Sequence, residues 1–325
     1  MEDDDAPELP DYDVMTLGPL ESSAIALGVT GWKGGSDDAN SYVLAIDRGY
    51  VLVGAQSPSE LALMKDYQKY WAVSEAATLP GVRAPIVYAT VEVDGAVSVI
   101  DALQAYAIAA GGAEPDVFCF KLAPPTADSG GSPEAEAQRQ KTFADGVKAA
   151  WEMGACPGTI AVEDYDAESL EALVSALSDV PQIKVCFNRV AFSLARREPL
   201  EDGTVDACKR LGVGVVATSP LGDGSAVTNE THPDHDPGLF KLLGFTGSIV
   251  GGGVQRSPLQ VALNYVMCKG VVPELATRQG AAIWECGGAM LWRLDDNAVA
   301  ILDERAAATA GGGEGEEGGG EVAPA

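Results

Sequence analysis

The sequence is poor in positive charge and almost without histidine. Against 48 Asp plus Glu stand 21 Lys plus Arg and 2 His, a formal net charge of −27. A surface of that sign repels phosphate backbones and anionic lipid, which sets nucleic acid and membrane aside as partners. Solubility is the plain reason for so much acid. No apolar stretch approaches the roughly 20 residues of a membrane-spanning helix. The N-terminus, Met1-Glu2-Asp3-Asp4-Asp5, has neither the basic start of a secretory signal nor the arginines of a transit peptide. None of the six cysteines forms a C-x-x-C pair. Cys119 in Val117-Phe118-Cys119-Phe120 and Cys186 in Val185-Cys186-Phe187 sit inside apolar runs. The thiols therefore read as buried small hydrophobes of a reducing compartment, the cytoplasm or the interior of an organelle. No G-x-G-x-x-G follows the first apolar run, which weighs against a dinucleotide-binding open sheet.

What the sequence does have is a core and an alternating pattern. Hydrophobic residues make up 46% of the 325. Short runs apolar on both faces read as buried parallel strands: Tyr42-Val43-Leu44, Tyr50 to Val53, Ile86 to Thr90, Val117 to Phe120, Thr159 to Val162, Ile183 to Phe187 and Val213 to Ala217. Helical stretches fall between them at Pro133–Met153, Ala167–Leu177, Gly203–Leu211, Ser257–Lys269 and Asp295–Arg305. Asp166 is placed to cap the second of these, and Ser257-Pro258 to start the fourth. Alternation of this kind predicts an α/β fold with a parallel sheet. The acidic residues 1–13 and the Gly/Glu-rich residues 306–325 have no apolar periodicity and are expected to be disordered, leaving one folded unit over 14–305. Residues 123–133 and 222–253, dense in Gly, Pro, Ser and Asp, read as long loops.

The C-terminal half carries a resemblance. Val190-Ala191-Phe192-Ser193-Leu194, Arg196-Arg197, Asp206-Ala207-Cys208 and the run from Leu211 to Gly222 are followed by Ser257 to Leu263, Lys269-Gly270-Val271-Val272-Pro273 and Thr277-Arg278. In order and spacing this resembles the aldo-keto reductases. Ala26-Leu27-Gly28 with Gly31-Trp32, Ala45 to Gly49, and Ser59-Glu60 are collinear in the N-terminal half. The resemblance implies a (β/α)8 TIM barrel with its active site at the C-terminal ends of the strands. It also implies NADP(H) lying over that face, and a Tyr, tuned by a Lys paired with an Asp, that protonates a carbonyl oriented by a His.

Matched residue by residue, the family's chemistry is missing. Its Asp falls on Val53, its Tyr on Pro58, its Lys on Val91 and its His on Lys121. Lys65, Tyr67 and Tyr70 lie on the helix that should follow the second strand, outside the barrel, and read as a solvated face with aromatic packing. The Ser-Asn pair that cradles the nicotinamide amide becomes Glu163-Asp164, whose charge would repel phosphates. The Gln after Asn188 becomes Arg189, and the stacking Tyr becomes Thr218. Asn188, Ser219, Leu221, Thr277, Arg278 and Glu285 remain as candidate cofactor contacts.

Lys121, Glu163, Asp164 and Arg189 would stand at the ends of three adjacent strands. One reading makes them a salt-bridge network in the old nicotinamide site; the other lets them splay into solvent. His232-Pro233-Asp234-His235-Asp236 lacks a distant ligand and reads as surface histidine rather than a metal site. Asn229-Glu230-Thr231 matches a glycosylation acceptor without any sign of secretion, and Gly251-Gly252-Gly253 reads as a hinge or turn. Three functions stay open: a non-catalytic binding or structural barrel, an NADP-dependent reductase of aldehydes or ketones with unorthodox residues, and a barrel with new chemistry at Lys121. The sequence names no partner.

Overall fold

The computed structural model describes residues 13–72, 77, 83–93, 98–123, 133–222, 236–250 and 254–310. In chain order its elements are β1 (Val14–Leu17), β2 (Leu20–Ser23), β3 (Ala26–Gly28), α1 (Ser36–Asp47), β4 (Leu52–Ala55), α2 (Pro58–Ala72), β5 (Ile86–Val93), α3 (Val99–Ala109), β6 (Val117–Leu122), α4 (Pro133–Glu152) and β7 (Thr159–Glu163). There follow α5 (Ala167–Leu177), β8 (Lys184–Ala191), α6 (Glu198–Glu201), α7 (Thr204–Leu211), β9 (Gly214–Thr218), α8 (Pro237–Val250), α9 (Pro258–Cys268), β10 (Val272–Ala276), α10 (Gly280–Gly287) and α11 (Asp296–Ala310). Strands β3 to β10 pair in parallel in sequence order, and β10 closes on β3. The expected (β/α)8 barrel is present.

Side-chain alternation along the strands divides the core in two. Val117 and Cys119 on β6 join Leu52, Tyr88 and Phe187 inside the barrel, whereas Phe118 and Phe120 join the larger layer between strands and helices. On β8 the register slips between the Ile160–Val185 and Val162–Asn188 pairs. That bulge turns both Cys186 and Phe187 inward and so sets Arg189 on the interior face. The β1–β2 hairpin, which the sequence pattern did not show, closes the N-terminal end of the barrel. Its Leu17 packs into the interior cluster and lies so close to Gly214 that any side chain there would strike it.

The expected strands stand within a few residues of their predicted places, with exceptions. Tyr42-Val43-Leu44 is not a strand but part of α1: Tyr42, Ala45 and Ile46 are buried at helical spacing while Val43 is exposed. A three-residue apolar run cannot separate the two periods. The strand predicted at Tyr50 begins at Leu52. Residues 222–253 are not a continuous loop, because α8 occupies Pro237–Val250. Its glycines suggested coil, yet Asp236 accepts the Leu239 N–H at 2.9 Å as a cap, and Gly247 admits the Arg256 carbonyl into close contact. Helix α3, N-capped by Ser98, was not anticipated either. Helix α11 runs on to Ala310, past the boundary drawn at 305. Asp166 and Ser257 cap α5 and α9 as predicted. All six thiols are free, five of them buried, as the apolar runs implied. Among the described residues no helix is long and apolar enough to cross a membrane.

Candidate functional site

The C-terminal mouth of the barrel is filled by a chain of ion pairs. Lys121, at the end of β6, donates from Nζ to Glu163 Oε1 at 2.6 Å and to Asp164 Oδ2 at 3.0 Å. The other oxygen of Glu163 accepts from Arg189 Nη1 at 2.5 Å. Arg189 turns its remaining edge to Glu274 on β10, with Nε to Oε2 at 2.8 Å and Nη2 to Oε1 at 3.1 Å. The Tyr88 hydroxyl donates to the same Glu274 carboxylate. Of the two readings of Lys121, Glu163, Asp164 and Arg189, the network is the one observed.

The fold positions each member. Tyr88 on β5, Lys121, Glu163, Arg189 and Glu274 come from five strands of one barrel. Glu163 and Arg189 are register partners, as are Lys121 and Glu163. Room inside comes from two glycines. A Cβ on Gly28 would stand 2.5 Å from Glu274 Oε1, and one on Gly54 would fall within the Tyr88 ring. The turn after β7 is held by β8: Asp164, at φ 59, donates its N–H to the Arg189 carbonyl at 2.9 Å. Asn188 faces outward, and its amide clasps the Tyr165 backbone, accepting at 3.3 Å and donating at 2.7 Å.

Burial decides the electrostatics. The side chains of Glu274, Glu163 and Arg189 are 2%, 9% and 11% exposed, and that of Lys121 is 36% exposed. Burial alone would lower the Arg189 pKa, but Tyr88, Glu274 and Glu163 around it hold it above the ordinary arginine value. Burial first, and then the Glu274 carboxylate, pushes the Tyr88 phenol well above its usual range. The hydrogen bond to Glu163 outweighs partial burial at Lys121 and, with Asp164, raises its ammonium pKa. Lys121 is thus firmly protonated, the wrong state for an attacking amine.

The other predicted positions are dispersed. Val53 and Val91 belong to the outer layer, so their side chains point away from the mouth. The inward neighbours by alternation are Leu52 and Gly54 on β4, and Thr90 and Glu92 on β5. A one-residue shift of register therefore brings neither the family's Asp nor its Lys into the barrel. Pro58 is the first residue of α2, beyond the strand end. Lys65, Tyr67 and Tyr70 ride on α2 outside the barrel; Lys65 pairs with Asp116, and the Tyr67 hydroxyl donates to the Gly35 carbonyl.

Ser219, at φ 50, and Leu221 follow β9 at the C-terminal face, where the Gly222 N–H closes a turn on the Ser219 carbonyl at 2.8 Å. Thr277 and Arg278 follow β10. The Thr277 carbonyl accepts from the Trp32 indole at 3.2 Å, and Arg278 is paired with Asp38 at 3.0 Å. Burial tends to raise the pKa of Asp38, but the Lys33 and Gly34 amides and Arg278 bind its carboxylate and hold it below 3.8. Glu285 is exposed on α10. His232 and His235, Asn229 to Thr231 and Gly251 to Gly253 lie outside the described residues. Among the described residues no cluster of His, Cys, Asp or Glu is suited to a metal.

Glu274, Tyr88 and Asp38 escaped the sequence reading. Glu274 left a trace: a carboxylate in the middle of Val271-Val272-Pro273-Glu274-Leu275 is a charge on a buried strand, and such a charge demands a partner.

No family model matches the sequence, and no match is found among curated proteins. Solved structures do match. An aldo-keto reductase of the silkworm, Bombyx mori, aligns over 90% of this chain and 87% of its own at 18% identity, with a TM-score of 0.64. A Bombyx mori aldo-keto reductase in complex with NADP aligns over 90% and 92% at 19% identity, with a TM-score of 0.59. A thermostable aldo-keto reductase in complex with the inhibitor epalrestat aligns over 90% and 98% at 17% identity, with a TM-score of 0.63. At these identities the likeness is one of architecture: the chain has the barrel fold seen in these aldo-keto reductases.

Proposed function

We propose that this chain is a divergent aldo-keto reductase barrel that does not reduce carbonyls and acts as a non-catalytic binding or structural protein of a reducing compartment such as the cytoplasm. One observation carries the reading: Arg189, clamped between Glu163 and Glu274 with Lys121 beyond, fills the mouth of the barrel. The family resemblance places the nicotinamide cradle and the carbonyl-orienting His there. Carbonyl reduction needs an acid that releases a proton to a developing alkoxide. Tyr88 faces the interior but is fully buried, donates to Glu274, and has its acidity suppressed. The nicotinamide end of NADP does not fit these residues, since a carboxylate pair and an engaged guanidinium stand where neutral amide partners are needed.

The second reading, an NADP-dependent oxidoreductase of aldehydes or ketones, draws on the NADP-bound structural neighbour. It also draws on Ser219, Leu221, Thr277 and Arg278 following their strands at the C-terminal face. Against it, Arg278 is already neutralised by Asp38. The two readings part on a simple assay: tryptophan quenching by NADPH, followed by NADPH oxidation with a panel of aldehydes and ketones. Expected is no turnover above buffer. Turnover that survives purification and is lost in Arg278→Ala overturns the proposal; quenching without turnover makes the barrel a nucleotide-responsive scaffold.

A further inference from the structure

The opposite end of the barrel carries two clefts whose linings combine apolar residues with lysine. These clefts, of about 500 and 490 Å³, flank the β1–β2 hairpin, within the size range of small-ligand sites. They meet at Gly212 and Val213, which line both, and the hairpin turn divides them, with Pro19 on one side and Thr16 and Gly18 on the other. The turn is tightly set. Gly18 has φ +58, and a Cβ there would stand 2.9 Å from the Cys186 carbonyl oxygen, so the walls are fixed by the barrel itself.

The first cleft is walled by Leu177, Ile183, Val185 and Leu211, and the second by Val205, Val215 and Cys268. The charged residues among the two linings are Lys184 in the first and Lys209 and Lys269 in the second, and neither cleft is lined by a carboxylate. In a chain with 48 acidic and 21 basic residues, these linings are opposite in sign to the net charge. Lys269 is held by Asp303 at 2.7 Å. Lys184 and Lys209 are exposed and form no ion pair among the described residues, so their charge faces outward over apolar walls.

We infer that this end of the barrel binds an amphiphilic anion, an apolar chain carrying one carboxylate. The chain lies against Pro19, Val174 and Leu211, which line the first cleft and keep surface open to solvent, and the head group is met by Lys184 or Lys209. Local charge governs such an encounter, because at physiological salt the acidic surface is screened beyond roughly 8 Å. The site is at the far end of the barrel from Lys121, so it stands or falls independently of the fate of the mouth.

Isothermal titration of the full chain with decanoate tests this. Decanoate should bind at one site, and Lys184→Glu/Lys209→Glu should weaken it at least fivefold. Both lysines are exposed, so that variant keeps its fold, which circular dichroism verifies. Decyltrimethylammonium, of equal chain length and opposite charge, should bind the wild type more weakly than decanoate and gain affinity in the variant. Absence of saturable decanoate binding, a loss under fivefold, or equal binding of the two amphiphiles overturns the assignment.

Discussion

The two halves of the barrel interior are packed on opposite principles. Toward the N-terminal end, Leu17, Ala26, Leu52, Val117, Val216 and Val272 form an apolar cluster. Toward the C-terminal end, Glu163, Arg189 and Glu274 fill the interior with charge, and the Tyr88 hydroxyl reaches Glu274 from the apolar cluster. The apolar half derives its stability from area removed from water, and each residue contributes on its own. The charged half has no such independence. Each ion there is tolerable only because its neighbour is present, so the cluster is held as a unit. A barrel mouth selected for stability alone would be simpler to fill with leucine.

The largest effect should come from breaking the unit. Arg189→Met leaves Glu163 and Glu274 buried and facing each other, and should cost about 3–5 kcal/mol in urea unfolding. Leu17→Ala, in the apolar half, should cost about 3 kcal/mol by the cavity it opens. The contrast sharpens when the whole charged set is replaced: Glu163→Leu, Arg189→Met and Glu274→Met together should lie within about 2 kcal/mol of wild type, far above the single Arg189 variant. No corresponding recovery is available to a cavity. Lys121→Met should cost only about 1 kcal/mol, because Lys121 is partly solvated.

The smallest effect is one of pH. Asp38 has a folded-state pKa below 3.8, so its contribution is present above the ordinary carboxylate range and lost as pH falls through the folded value. Asp38→Asn should therefore differ from wild type at about pH 7 and converge with it as pH falls through the depressed Asp38 value. Lys121 runs the other way. With a raised pKa, its contribution is complete below the ordinary lysine value and is lost only as pH rises through the folded one, so the Lys121→Met difference should stay unchanged between about pH 7 and pH 9.

How much of this was legible in the sequence depends on which physical signal each feature leaves. Strands such as Thr159–Glu163 are short, doubly buried and bounded by helices, and they read cleanly. The pairing of Lys121 with Glu163 was legible only as one of two readings, because opposite charges at adjacent strand ends can either pair or splay into solvent, and the structure shows them paired. Glu274 was not, because the resemblance drew attention to positions where the family has side chains of known use, and this was not one. Tyr42 to Leu44 misled because three residues fit either period. The inward or outward sense of Val53 and Val91 needs the pleat, which sequence matching alone does not supply. The β8 bulge that aims Arg189 inward leaves no mark in composition at all.

The most direct test is a double-mutant cycle between Arg189 and Glu274, read by urea unfolding of wild type, Arg189→Met, Glu274→Met and the pair. A mouth filled by one coupled ionic unit gives a coupling energy of about 2 kcal/mol or more. Additivity within about 0.5 kcal/mol would contradict it, leaving the charges as independent rim residues and the mouth open to a cofactor.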